Sequence, residues 1–521
     1  MRCTSTRLSA LLVFASAALA LRAAPQADEA RRGYERGVRA LHNFAYEQAL
    51  LEFREAERRD AGFAMAYWGE AMAHNQSLWL NQDLVGARDA LRKLGRTPEE
   101  RASKATSDKH RALLGAVEIL FGDGDKKARD AAYAEAMGRI HARFREDPDV
   151  ASFYALALLA TALRSPALFS ESNEEAHQHA LVGSDTQRRA AEILAPVLRA
   201  YPTHPGALHY TIHNYDDPAH AKLALPAARA YAKAAPESSH ALHMPAHIFV
   251  QLGMWHEAAA SDEASYAQSL AWTKHNGLGI GMRDHHSLSW LCYEALQQGR
   301  FTKARQTLAL IAPAVAETQA PRLKALASVM RAQYVVETRS WQLLRGQQSF
   351  DTAAELFALG LSAAETGQPE VATRARDELL RRALAQKLDA AIMEKELGAV
   401  IELRAGRGAR AAELMQETVG LEKSLPPPLG PPRPIKPSYE LQGEILLELG
   451  RPKDAVAAFE QSLARWPNRS ASALGLARAL AAAGEREAAR VRYRELLANW
   501  KDADANVAGL DEARRAVAAA K

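Results

Sequence analysis

Cysteine is almost missing from this chain: 521 residues contain only Cys3 and Cys292. Cys3 falls in a segment expected to be cleaved, which leaves one cysteine and no intramolecular disulfide. Stability must then come from a packed core. Long apolar runs are also missing. After the first 20 residues no stretch approaches the roughly 18 uninterrupted apolar residues of a membrane-spanning helix. An excess of one charge is absent too, since 66 basic and 62 acidic residues leave +4 and are interleaved along the chain. That argues against a basic stripe for nucleic acid and against an acidic disordered tail. Alternating strand patterns are nearly absent. HExxH, P-loop, GxSxG and dinucleotide fingerprints do not occur, so no short catalytic signature speaks for an enzyme. "FGDGDK" (121–126) opens like a calcium loop but lacks the glutamate that closes one, so a simple turn is expected.

What is present begins at the N-terminus. "MRCTSTRLSALLVFASAALALRAAPQ" has Arg2 and Arg7, an apolar run from Leu8, and small residues ending at Ala20. That is the anatomy of a secretory signal peptide, assigned to residues 1–24. The expected location is periplasmic or secreted, and the Ala-, Arg- and Leu-rich composition points to a bacterial source.

Apolar residues recur at i, i+3, i+4 and i+7, interrupted about every dozen residues by Gly, Pro or Asp. An all-α protein is expected. A longer period is clearest in "SYELQGEILLELGRPKDAVAAFEQSLARWP", where Tyr439, Gly443, Leu446, Ala455, Phe459 and Pro467 recur at the spacing of a 34-residue helix–turn–helix repeat. A weaker copy follows 34 residues on, at Ala473, Ala477, Leu480, Ala489 and Tyr493. Gly37, Ala49, Phe53 and Ala56 keep the same order near the start, and Gly253, Ala258, Ala295, Gly299 and Ala304 keep it in the middle. On these residues the chain resembles tetratricopeptide repeat (TPR) proteins of the exported bacterial type. The resemblance implies an α-solenoid, in which each helix pair buries its apolar face against the next and leaves a concave groove.

Two stretches interrupt the repeat. Residues 80–110 read as a polar insertion. "SLPPPLGPPRPIKP" (424–437) is too rich in proline to be helical and reads as a linker. The expected organisation is therefore a solenoid over 25–423, the linker, and a C-terminal TPR pair with a capping tail over 438–521.

Histidine is concentrated in the middle of the solenoid, at about 204–290. Of 17 in the chain, eight fall between residues 204 and 256. His209 and His213 are four apart, as are His243 and His247, so each pair lies on one helix face and can close on one metal ion. The TPR resemblance implies that these positions, with His240 and His286, line the groove. They are the candidate ligands for a transition metal, and imidazole suits copper, zinc, iron or nickel. Asp216, Asp217 and His220 follow closely and are candidates to complete or orient the site. Glu70, His74 and Asn75 share a helix face and are further groove candidates, while Tyr67 and Trp68 should fill a repeat interface.

Pro245 should either kink its helix or start it, leaving His243 at the mouth in the second case. Asp262, Glu263 and His256 are expected on a convex, solvated face. His42, His110, His141, His177, His179 and His275 are expected outside any site. A coordination position left open to water or dioxygen would allow catalysis. The competing expectation is a metal-free scaffold that holds a peptide or an envelope protein in the groove and on the C-terminal pair.

Overall fold

Phe53 and Phe459 stand at opposite ends of the chain in matching surroundings. In the computed structural model, which describes residues 26–162, 184–344, 350, 352–384, 388–425 and 429–518, both rings are fully buried. Each is covered by two glycines, sixteen residues before it and sixteen after: Gly37 and Gly69 over Phe53, Gly443 and Gly475 over Phe459. A Cβ on Gly37 or Gly69 would come within 2.5 or 2.2 Å of the Phe53 ring, and on Gly443 or Gly475 within 2.8 or 2.3 Å of the Phe459 ring. The aromatic of one helix needs the bare backbone of two others, and that requirement fixes the repeat. Gly475→Ala should therefore cost about 1–2 kcal/mol in urea unfolding. The gain of up to about 1 kcal/mol from a better helix former is outweighed by displacing a close-packed ring. A stabilised variant would contradict this packing.

The described chain is helical almost throughout, apart from a two-residue hairpin in which Asn75–Gln76 pairs with Asn81–Gln82. Helices follow one another as antiparallel hairpins, such as Tyr46–Arg59 with Ala64–Ala73 and Ser239–Gln251 with Trp255–His275. Gly253 and Gly299 make tight turns between helices at φ of +65° and +68°. At Gly253 no side chain fits in any case, because a Cβ would meet the Pro467 carbonyl at 2.3 Å. No described helix is long and apolar enough to cross a membrane. The signal-peptide assignment, like His177 and His179, lies outside the described residues.

Two compact units are present. The first contains the described residues up to Ala162 together with Ser184–Tyr210, and the second runs from Thr211 through the described C-terminal residues. The stretch read as a polar insertion is helical over Leu84–Leu94 and Pro98–Ser103, with Asp83 and Thr97 capping the two helices through their side chains. Leu84–Leu94 also carries the apolar period itself, burying Ala87, Ala90, Leu91 and Leu94 at i, i+3, i+4 and i+7.

The proline-rich stretch does not separate the C-terminal repeats from what precedes them. Ile435 and Lys436 are buried, and Ser438 bonds both Glu396 and Glu422. Trp255 Nε1–H donates to the Asn468 carbonyl at 2.8 Å, and Asp504 N–H to that of Gly299 at 3.0 Å. Proline forbids helix in this segment but does not prevent packing, so residues 438–518 belong to the same compact unit as residues 211–425.

Candidate metal centre

Four stretches of the second unit build the site. Ser238 caps the helix Ser239–Gln251, its Oγ accepting from Ala241 N–H at 3.2 Å. Asp284 caps the helix His285–Gln297, accepting from Ser287 N–H at 3.0 Å. The helix Trp255–His275 packs beside them, and Asp216 sits in the turn that follows the helix Pro205–Asn214. The helix Ser239–Gln251 runs through Pro245 without a break, so His243 lies inside it and not at its mouth.

His243 and His247 then share a face, and their Nε2 atoms stand 3.0 Å apart. On the far side of each ring is a carboxylate. His243 Nδ1 faces Asp262 Oδ1 at 2.5 Å, and His247 Nδ1 faces Asp216 Oδ2 at 2.6 Å. Gln251 donates to the other Asp216 oxygen at 3.2 Å. His286 completes the group, its ring centroid 4.7 Å from that of His243. Ligand nitrogens of His243, His247 and His286 all lie within 4.8 Å of one another. Trp290, one turn beyond His286, packs against all three rings at centroid distances of 5.1, 4.5 and 5.4 Å.

His240 and His213 stand in the same unit, ring centroids 6.4 Å apart, with His213 6.5 Å from His247. His285, next to His286, points elsewhere, as adjacent helical residues must.

Asp262 overturns the expectation of a solvated face. It is completely buried, on the same helix face as Ala258, Ser265 and Ser269. Ala258 is the small repeat residue that lets two helices approach, so a residue one turn later faces the same partner helix. That periodicity was the signal in the sequence for Asp262. Glu294, also fully buried, lies beyond it. Burial pushes both carboxyls well above their usual range, and for Glu294 the Asp262 charge adds to the effect. Trp290, Asp262 and Glu294 join the site without having been expected there.

The remaining expected groups have partners of their own. His209 belongs to the first unit, where Nδ1–H donates to the His42 carbonyl at 2.6 Å. Asp217 and His220 bond each other, Nδ1 to Oδ1 at 2.9 Å, with Asp217 also accepting from two backbone N–H groups. Glu70, His74 and Asn75 belong to the first unit and have structural partners: Arg54 and Lys93 for Glu70, Asp83 for His74, Ser77 and Gln82 for Asn75.

His42, expected outside any site, joins a second histidine–carboxylate group in the first unit, and the group's chemistry differs. His204 Nδ1 accepts from Ala207 N–H at 3.1 Å, so in the neutral ring Nε2 carries the proton and donates to Asp149 at 3.1 Å. His42 Nε2 meets the same oxygen at 2.9 Å, with Tyr210 OH at 3.0 Å from its Nδ1. Burial alone would raise the Asp149 carboxyl, but the bonds from His204 and His42 hold it well below the usual range. Every ring nitrogen has a partner, and the lone pairs a metal requires are in use. This group ties helices together.

Burial, with neighbouring imidazoles adding to it, lowers His240, His243 and His286 to about 3. A depressed histidine remains neutral in the fold while the unfolded chain takes up its proton near 6.5. Its contribution to stability is whole above pH 6.5 and declines as pH falls toward 3. In metal-free protein, wild type should therefore lose stability relative to His240→Gln as pH drops from 6.5 to 4, by up to about 1.4 kcal/mol per pH unit. Parallel stability curves for the two proteins over that range would refute the assignment.

Fold and repeat together define an α-helical repeat protein. Residues 446–514 match the tetratricopeptide repeat family model, and the matching Phe53 and Phe459 environments carry the same plan to the start of the chain. The chain is a TPR protein, a class of scaffold for protein interaction. Similar solved structures include a TPR protein from Parabacteroides merdae (12% identity, 54% of this chain and 99% of that one, TM-score 0.30). Yeast Tom70 is similar at 12% identity over 87% of each chain, with a TM-score of 0.30. The human IFIT1 dimer with m7Gppp-AAAA is similar at 14% identity over 95% of each chain, with a TM-score of 0.34. No curated protein sequence matches the chain.

Proposed function

We propose that this TPR protein binds a transition metal ion through His243, His247 and His286, and that it does so as an exported, periplasmic or secreted protein. One observation carries the metal reading. Asp216 and Asp262 occupy the Nδ1 sides of His247 and His243, which turns the two Nε2 atoms toward each other at 3.0 Å. Two nitrogen lone pairs that close repel unless a proton on one nitrogen or a metal ion lies between them, and a third imidazole nitrogen within 4.8 Å favours the metal ion. Nitrogens about 2.0–2.1 Å from one tetrahedral ion stand about 3.3 Å apart, close to the spacing here. Carboxylates behind ligating histidines fix the tautomer and make the rings better donors. The nitrogen-only donor set favours copper, zinc, iron or nickel over magnesium or calcium. Three imidazoles leave a fourth position for water or a substrate atom, the arrangement a catalytic site requires.

The test is elemental analysis of protein purified without a metal-binding tag, beside a His243→Ala/His247→Ala variant. Near-stoichiometric metal in the wild type and none in the variant is the expected result. A wild type that carries no metal and takes up neither copper, zinc, iron nor nickel would end the proposal.

A second reading concerns a partner. A cleft of about 780 Å³ in the second unit is lined by Arg305, Arg404, Arg478, Glu337, Glu444 and Trp500 among others. Charges of both signs beside an aromatic suit an extended peptide, and pull-down with Arg404→Glu/Arg478→Glu as control would test it.

A further inference from the structure

We propose that the centre in the second unit is binuclear, with a second metal ion held by His213 and His240 beside the one assigned above. This rests on the metal reading and extends it. Ligand nitrogens of His213 and His240 lie no more than 4.8 Å apart, and the rings are within 24° of parallel. Small side-chain rotations close that gap to the roughly 4 Å or less that separates two nitrogens on one ion. His213 is buried, so its imidazole is not a solvated surface group.

Geometry also makes the two sets neighbours. The helix Ser239–Gln251 carries His240, His243 and His247 at spacings of three and four, one continuous face that serves both ions. From the other side, the His213 ring stands 6.5 Å from that of His247. Ions held by the two sets would be neighbours, and an oxygen ligand bridging them, as in bimetallic centres, would join the two sites. Buried acidic groups of the same unit, Asp216, Asp217 and Asp262, offset the added positive charge. Imidazole donors suit copper along with zinc, iron and nickel, and the spin of Cu(II) reports a neighbour. A hydroxide or small oxyanion would bridge the two ions.

Copper separates this proposal from the simpler one. Metal-free full-length protein would be titrated with Cu(II), freed of excess by gel filtration, and its copper counted by mass spectrometry beside quantitative electron paramagnetic resonance. Two coppers per chain are expected, with signal per copper falling as the second site fills, because bridged spins couple. His240→Gln, checked for helical content by circular dichroism, should hold one copper with a full mononuclear signal. One copper in the wild type would overturn the binuclear centre and leave the His243–His247–His286 site standing. No copper in the wild type would overturn the binuclear centre, and failure to take up zinc, iron and nickel as well would overturn both readings. Two coppers retained by His240→Gln would overturn the assignment of the second ion. The wild-type count stands whatever the variant's folding.

Discussion

Asp262→Asn should weaken metal binding by about 10- to 100-fold with the helices still in place, the usual cost of altering a group that orients a ligating histidine. The substitution keeps the volume of a completely buried side chain, so the fold has no cavity to absorb. What changes is charge. Asp262 has the Glu294 carboxyl behind it and presents an oxygen to His243 Nδ1 at 2.5 Å. An amide can still accept from that nitrogen, but it cannot offset a divalent ion in a dry interior or increase the basicity of Nε2. Competition against a chromophoric chelator would measure the loss. The same titration on Asp149→Asn in the first unit should show no change, since the His42 and His204 nitrogens there already have partners. Equal affinity in Asp262→Asn and wild type would remove Asp262 from the site.

Arg469→Ala should destabilise the second unit by about 3–5 kcal/mol, the range for breaking a buried ion pair by deleting one partner. Arg469 is 1% exposed. It bonds both oxygens of Glu440 at 2.8 and 2.9 Å, Glu337 at 2.6 Å and Tyr293 OH at 2.8 Å. Removing it leaves Glu337 facing Gln297 alone, while Glu440 keeps Lys436 and Ser472. Burial already pushes the Glu337 carboxyl upward. Without the guanidinium it would take up a proton, so the loss should shrink below neutral pH. Because Arg469 joins the C-terminal repeats to Tyr293 and Glu337, the variant should also loosen the contact that makes residues 211–518 one unit. Urea unfolding at pH 7 and pH 5 would read both effects, and a loss under about 1 kcal/mol at pH 7 would contradict them.

The sequence by itself determined the fold class and the repeat. Glycine, alanine and an aromatic at fixed spacing leave helices one close-packed arrangement, and Phe53 and Phe459 adopt it at both ends of the chain. It also determined which imidazoles can act together, because residues four apart on a helix share a face whatever surrounds them. That was enough to pair His243 with His247. Tertiary structure decided the rest. Whether a histidine can receive a metal depends on what occupies its other nitrogen, and those partners come from distant segments: Asp262 from the next helix, Asp216 from a turn 31 residues earlier. A backbone N–H does the opposite for His204, three residues away, by taking the lone pair of its Nδ1. Asp262 reads as a surface residue among "WHEAAASDEAS" until the buried face of its helix is known. The proline-rich stretch reads as a spacer until Ile435 and Lys436 are seen inside the fold. In each case local sequence sets the backbone, while burial and the partner across the interface set the chemistry.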